Sequence, residues 1–166
     1  MVQSIPESQD PGTAFGAFNF HVAIEVAALG GHQICHGAFS EVSGLEASME
    51  ARAIKAGGHN YGAYQRAGVV NFATVVLKRG MSDARDLWKW WNLFGSEGKY
   101  GPDSRCTVYI THLDATRKPA IVWKLAQAMP VKFKAGDFSA KGGDVAIEEI
   151  HLVHEGLSLE PTEAQR

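Results

Sequence analysis

Only one stretch of this chain repeats its apolar residues at helical spacing, and almost everything around it alternates with a period of two. Leu87, Trp90, Trp91 and Phe94 stand at i, i+3, i+4 and i+7, which gives one apolar stripe on a helix over about 83–94. Ser82 is placed to cap it, Asp83 and Asp86 put negative charge near its N-terminal dipole, and Gly95 is placed to stop it. A single helix this aromatic needs a sheet to lie on. The tryptophans of this stretch would serve either a core or a ligand platform, and core packing is the reading adopted.

The sheet is written on both sides of the helix. Phe18, Phe20, Val22, Ile24 and Val26 alternate with Asn19, His21, Ala23 and Glu25, the pattern of a half-buried strand. Residues 34–44 read as a short strand breaking into a turn. A looser alternation follows over 45–54, with Leu45, Met49 and Ala51 on one face and Glu46, Ser48, Glu50 and Arg52 on the other. AGGHNYGAYQRAG (56–68) reads as a long exposed loop, and long ordered loops usually carry a task. Strands are expected at 69–79, 106–113 and 120–128, the last two joined by the turn DATRKP, with Met129-Pro130 as an interruption and VKFK after it. One final strand is expected over 144–157. Several strands, one helix, then more strands imply a β-rich α+β domain: a small barrel or sandwich with one docked amphipathic helix.

With 166 residues, the chain has the length of one domain, assigned to 16–160, with a flexible N-terminal arm at 1–15 and a short tail at 161–166. A formal charge of −2 argues against a generically basic nucleic-acid binder, and the scattered pairs Lys78-Arg79, Arg117-Lys118 and Lys132/Lys134 read as solvated surface. The N-terminus has no basic segment or apolar core, so no signal peptide is expected, and no apolar run approaches the ~18 residues of a membrane helix.

Catalytic patterns are missing. GSEGK (95–99) lacks the first glycine of a phosphate cradle, and no dinucleotide or nucleophile-elbow motif occurs. His32, Cys35 and His36 are metal-capable but have no second cluster to complete a site. His151 and His154 point to opposite faces of a strand, as do Glu148 and Glu149. No catalytic residue, cofactor or metal is assigned. Two rivals of other classes stay open: a small-molecule-binding β-barrel lined by the tryptophans, and an enzyme using Cys35 or Cys106 with a histidine.

Five segments, in order, carry a family resemblance: FNFHVAIE (18–25), FSEVSGLEASME (39–50), VVLKRGMSDARDLWKWW (75–91), WKLAQAMPVKF (123–133) and VAIEEIHLVHEGL (145–157). Together they resemble the inner tube proteins of contractile phage tails and of extracellular contractile injection systems, whose fold is shared by haemolysin-coregulated rings. The resemblance implies a structural subunit. Six copies would close into a ring, and rings would stack around a lumen for protein cargo or DNA. It implies as partners further copies of the chain, sheath subunits, and baseplate or tube-initiator and terminator proteins. It also implies assembly in the bacterial cytoplasm, as part of a phage tail or a released tail-like particle, without membrane insertion. The long N-terminal arm and the enlarged turn AALGGHQICHG (27–37) keep a second reading in the same class, the tube initiator. By the same resemblance, the strand and loop at 45–68 are expected to make the contacts between subunits or rings. The candidates are Glu46, Ser48, Glu50, Arg52, Gly57, Gly58, His59, Asn60, Tyr61, Tyr64 and Arg66. Tyrosine and arginine are favoured at interface cores.

Overall fold

A computed structural model describes residues 19–26, 33–37, 39–58, 60–81, 83, 85–98, 101, 104–138, 143 and 145–161. The expected N-terminal arm, Ser82, His59, His32 and nearly all of the C-terminal tail lie outside the described residues.

The strands are β1 (Phe20–Val26), β2 (Gln33–Gly37), β3 (Glu41–Ser43), β4 (Ala47–Met49), β5 (Arg52–Ile54), β6 (Tyr64–Arg66), β7 (Val70–Phe72), β8 (Val75–Gly80), β9 (Cys106–Leu113), β10 (Pro119–Lys134), β11 (Ile147–Val153) and β12 (Gly156–Glu160), with one helix, α1 (Asp86–Gly95), between β8 and β9. The main sheet runs β2-β1-β9-β10-β11-β8-β3, and β12 also pairs with β10. Every pairing in it is antiparallel.

β10 organises the fold. One of its edges pairs with β9 from Pro119 to Ala128. Its other edge meets β12 over Val122–Ala126 and then β11 over Met129–Lys134. Between these stretches the register with β9 shifts, and Gln127 takes a left-handed φ of 53°. A strand bent in this way serves two half-sheets and turns the corner between them. The half-sheets face each other as an open sandwich and do not close into a barrel.

The core lies between them. β1 contributes Val22, Ile24 and Val26, and β9 contributes Cys106, Val108 and Ile110. From the other half-sheet come Val75 and Leu77 of β8 and Ile150 and Leu152 of β11. The buried positions are alternate residues on each strand, as the period of two requires. α1 packs against β10 and β2, with Leu87, Trp90 and Phe94 buried and Trp91 half-buried. Trp88 lies on the outer side of the helix with its ring 5.5 Å from that of Phe133.

Several expectations change. The helix begins at Asp86 rather than near 83, because Arg85 before it holds a left-handed φ of 51°. β10 runs straight through Met129-Pro130; the missing N–H of Pro130 is tolerated because the ladder shifts register between Pro130 and Lys132. The single last strand is two, β11 and β12, separated at His154-Glu155 opposite the bend in β10. Arg79, expected on solvated surface with Lys78, is only 7% exposed. It shares the inner face of β8 with Val75 and Leu77, at the period of two. Its Nε donates to Glu148 Oε1 at 2.6 Å, and its Nη1 donates to Asp86 Oδ2 at 3.1 Å. Lys78 does point outward, where its Nζ donates to the Glu41 carboxylate at 3.0 Å.

Candidate functional site

The β3–β8 pair does not stop at the edge of the sandwich. From Ser43↔Val76 to Ala47↔Phe72 each strand advances four residues, so β4 and β7 continue the same register outward. Beyond them β5 and β6 pair as Arg52↔Arg66, Ala53↔Gln65 and Ile54↔Tyr64. The whole excursion from Ala47 to Phe72 is one long projecting hairpin. The expected loop at 56–68 is therefore shorter. Tyr64 and Arg66 lie in a strand, and the turn at the tip includes Gly57, Gly58, Asn60 and Tyr61.

Two glycines make this path possible. Gly44, where the hairpin leaves the sheet, has φ +84°, and a Cβ there would overlap the carbonyl oxygen of Thr74. Gly68 sits midway along, where the return strand carries one extra residue: from Met49↔Val70 to Arg52↔Arg66 the outgoing strand advances three residues and the return strand four. A Cβ on Gly68 would overlap the carbonyl oxygen of Glu50. The extra residue is a bulge, and bulges turn and twist a ribbon.

Among the described residues, nothing buries the strands of the hairpin. Ala47–Met49, Arg52–Ile54 and Tyr64–Arg66 are exposed along their length. Met49, Ile54, Tyr64 and Val70 are each about half exposed, Val69 is 71% exposed and Tyr61 is 99% exposed. A two-stranded ribbon is marginal in water on its own, and a run of exposed apolar side chains along one is unusual on a free surface. Of the expected contact residues, Glu46, Ser48, Glu50, Arg52, Gly57, Gly58, Asn60, Tyr61, Tyr64 and Arg66 all lie on this exposed excursion or at its root. The excursion also exposes Met49, Ile54, Val69 and Val70, which are not among the expected contact residues.

At the root, the His154 ring is 9% exposed and lies 5.0 Å from the Phe72 ring. Its Nδ1 is 3.0 Å from the Gly156 carbonyl oxygen. Burial lowers its pKa from the ordinary histidine value, and the hydrogen bond to Gly156 offsets this only in part. The outer face of the β8–β11–β10 half-sheet is polar: Glu149 accepts from His151 at 2.8 Å, an interaction that lowers its carboxyl pKa, and Lys132 lies 3.9 Å away.

Cys106 is buried, and its burial pushes the thiol far above the ordinary range, with the Trp90 side chain only partly offsetting this. Such a thiol stays protonated and inert. The side chains of Cys35 and His36 lie outside the described residues. Among the described residues no three His, Cys, Asp or Glu side chains are grouped to hold a metal, and no helix is long and apolar enough to cross a membrane.

No curated protein matches the chain. Among solved structures, a chain of the anti-feeding prophage (AFP) baseplate is similar at 24% identity, covering 92% of this chain and 99% of its own, with a TM-score of 0.76. A chain of the PVC extracellular contractile injection system sheath-tube complex in its extended state is similar at 18% identity, covering 90% and 93%, with a TM-score of 0.73. Hcp1 from E. coli EAEC 042 is similar at 9% identity, covering 90% and 96%, with a TM-score of 0.53. At these identities the likeness is one of fold. The family model for T4-like virus tail tube protein gp19 matches residues 16–158. A sandwich without a catalytic arrangement among its described residues, bearing a long uncovered hairpin, fits that match, and the chain belongs to the T4-like virus tail tube family as a structural tube subunit.

Proposed function

We propose that this chain is the repeating subunit of the inner tube of a contractile tail or tail-like injection particle, that six copies close into a ring, and that rings stack by means of the projecting hairpin. The uncovered hairpin carries the reading. Its apolar side chains are bare over a ribbon that could not hold its shape alone. A repeating subunit gives every hairpin a neighbour, and the ring gives every open sheet edge one as well.

The same reading supplies the partners. Solved relatives of this fold come from sheath-tube and tube-terminator assemblies, so sheath and terminator proteins are the proposed external contacts. The lumen carries protein or DNA, and the role is non-enzymatic. Negative-stain electron microscopy of the purified full-length chain, with deletion of residues 57–63 as the comparison, tests it. Wild type is expected to give rings and stacks with a central hole. The deletion is expected to fold, with an unchanged circular dichroism spectrum, and to lose stacks. Stacks of normal length from the deleted chain would overturn the role of the hairpin. A single ring that never extends would favour the initiator in place of the main tube subunit.

A further inference from the structure

The outer half of the hairpin, residues 51–66, contains Arg52, Lys55 and Arg66 and no Asp or Glu. Arg52 and Arg66 are direct cross-strand partners. Like charges so placed repel. Both residues are exposed, and neither guanidinium has a carboxylate partner among the described residues. The next pair on the same face is Ile54 and Tyr64, 47% and 56% exposed. The hairpin thus presents an apolar pair beside an unsatisfied pair of cations.

The complementary set lies at the other end of the subunit. The hairpin joins β8 at Val75, and Met81 follows its last residue, Gly80, roughly 17 Å away at ~3.3 Å per residue. There Met81 N donates to Ala146 O at 2.8 Å, Ile147 opposes Gly80, and a methyl placed on Gly80 would touch Val145. Met81, Val145 and Ile147 are 43%, 73% and 48% exposed. Two exposed carboxylates belong to this end. Asp83 follows Met81 by two residues and has no ion-pair partner among the described residues. Asp137, 90% exposed, follows Gly136, which packs on Ala146 and Ile147, and Lys134 is 3.3 Å away on the same strand end.

We infer that the Met81–Val145–Ile147 end is the receptor for the hairpin of a second copy, with Ile54 and Tyr64 covering the apolar patch and Arg52 and Arg66 meeting Asp83 and Asp137. Two different surfaces at opposite ends of one strand make a head-to-tail contact that does not close, which propagates into a stack. Opposite charges set its register, and the apolar pair supplies the buried area. The inference rests on the hairpin's role as the stacking element and adds where it lands.

The test uses the full-length chain and two readouts. In the first, a Tyr64→Cys copy and a differently tagged Ile147→Cys copy, both with Cys35→Ser, are mixed and mildly oxidised. A disulfide between the two tags is expected, and its absence while the wild type stacks would overturn the receptor. In the second, stacks are counted for Arg52→Glu/Arg66→Glu, for Asp83→Lys/Asp137→Lys and for the chain with all four changes. Each double variant is expected to lose stacks at least tenfold, and the fourfold variant to regain them. Loss with the arginine variant but none with the aspartate variant would overturn the receptor and leave the hairpin's role standing. Normal stacking of the arginine variant would overturn both.

Discussion

Arg79 and Glu148 are joined across β8 and β11 by a 2.6 Å hydrogen bond in the interior of the domain, and Arg79 also reaches Asp86 at the first residue of α1. One guanidinium therefore holds a strand to its neighbour and ties it to the first residue of the helix; the Phe39 ring lies 5.6 Å from its carbon centre. Removing one partner of a buried pair leaves the other charge stranded, at about 3–5 kcal/mol. Arg79→Met is expected to cost that much in urea unfolding. Lys78→Met, whose side chain faces water, is expected to cost under about 1 kcal/mol. Equal losses for the two would contradict the buried placement.

Trp90 is 1% exposed, whereas Trp91 is half-buried. Trp90→Ala is expected to destabilise by about 3–5 kcal/mol. Trp91→Ala should fold and cost clearly less. Thermal melts of the two variants read the difference directly, and a larger loss at Trp91 would require a different rotation of the helix about its axis.

Gly68→Ala places a methyl on the Glu50 carbonyl. The bulge lies outside the sandwich, so the melting temperature is expected to stay within a few degrees of wild type while stacking is lost. A variant that stacks normally would show that the ribbon tolerates the methyl by shifting.

His154 gives the fold a pH dependence of defined sign. Its folded pKa lies below the ordinary 6.5, because burial disfavours the charged ring. The unfolded chain then binds the extra proton first, so this contribution to stability is complete above pH 6.5 and is lost as pH falls toward the folded pKa. Denaturation midpoints measured from pH 7.5 down to 5 are expected to fall in the wild type. In His154→Gln that part of the slope should be missing.

The strands that bury one face were legible, because alternation there records the inside and outside of a sheet: Val22, Ile24 and Val26 read as a strand and form one. Alternation also ran through Val75, Leu77 and Arg79, but the charge on Arg79 drew it to the surface; only its partners, 69 and 7 residues on, make burial tolerable, and such distances are invisible to a local pattern. The length of β10 was hidden for a similar reason. Pro130 ends a strand unless the ladder slips beside it, and the slip belongs to β11 as much as to β10. The hairpin was half legible. Its glycines and tyrosines marked 56–68 as purposeful, but a ribbon exposed on both faces has no buried residue to set its period, so β6 was hidden inside a loop.

The order of strands also sets a schedule. β3, the hairpin and β8 leave the ribosome early, yet β8 is paired by β11, whose residues come about 70 positions later. Val145 and Ile147 emerge with that late strand. Until β11 has been synthesised, the nascent chain has no β11 neighbour for β8 and no carboxylate from Glu148 for Arg79. Polysomes carrying many unfinished subunits should therefore not nucleate assembly among themselves, because long-range closure must come first. Under the proposed stacking role, synthesis of β11 becomes the licence for polymerisation.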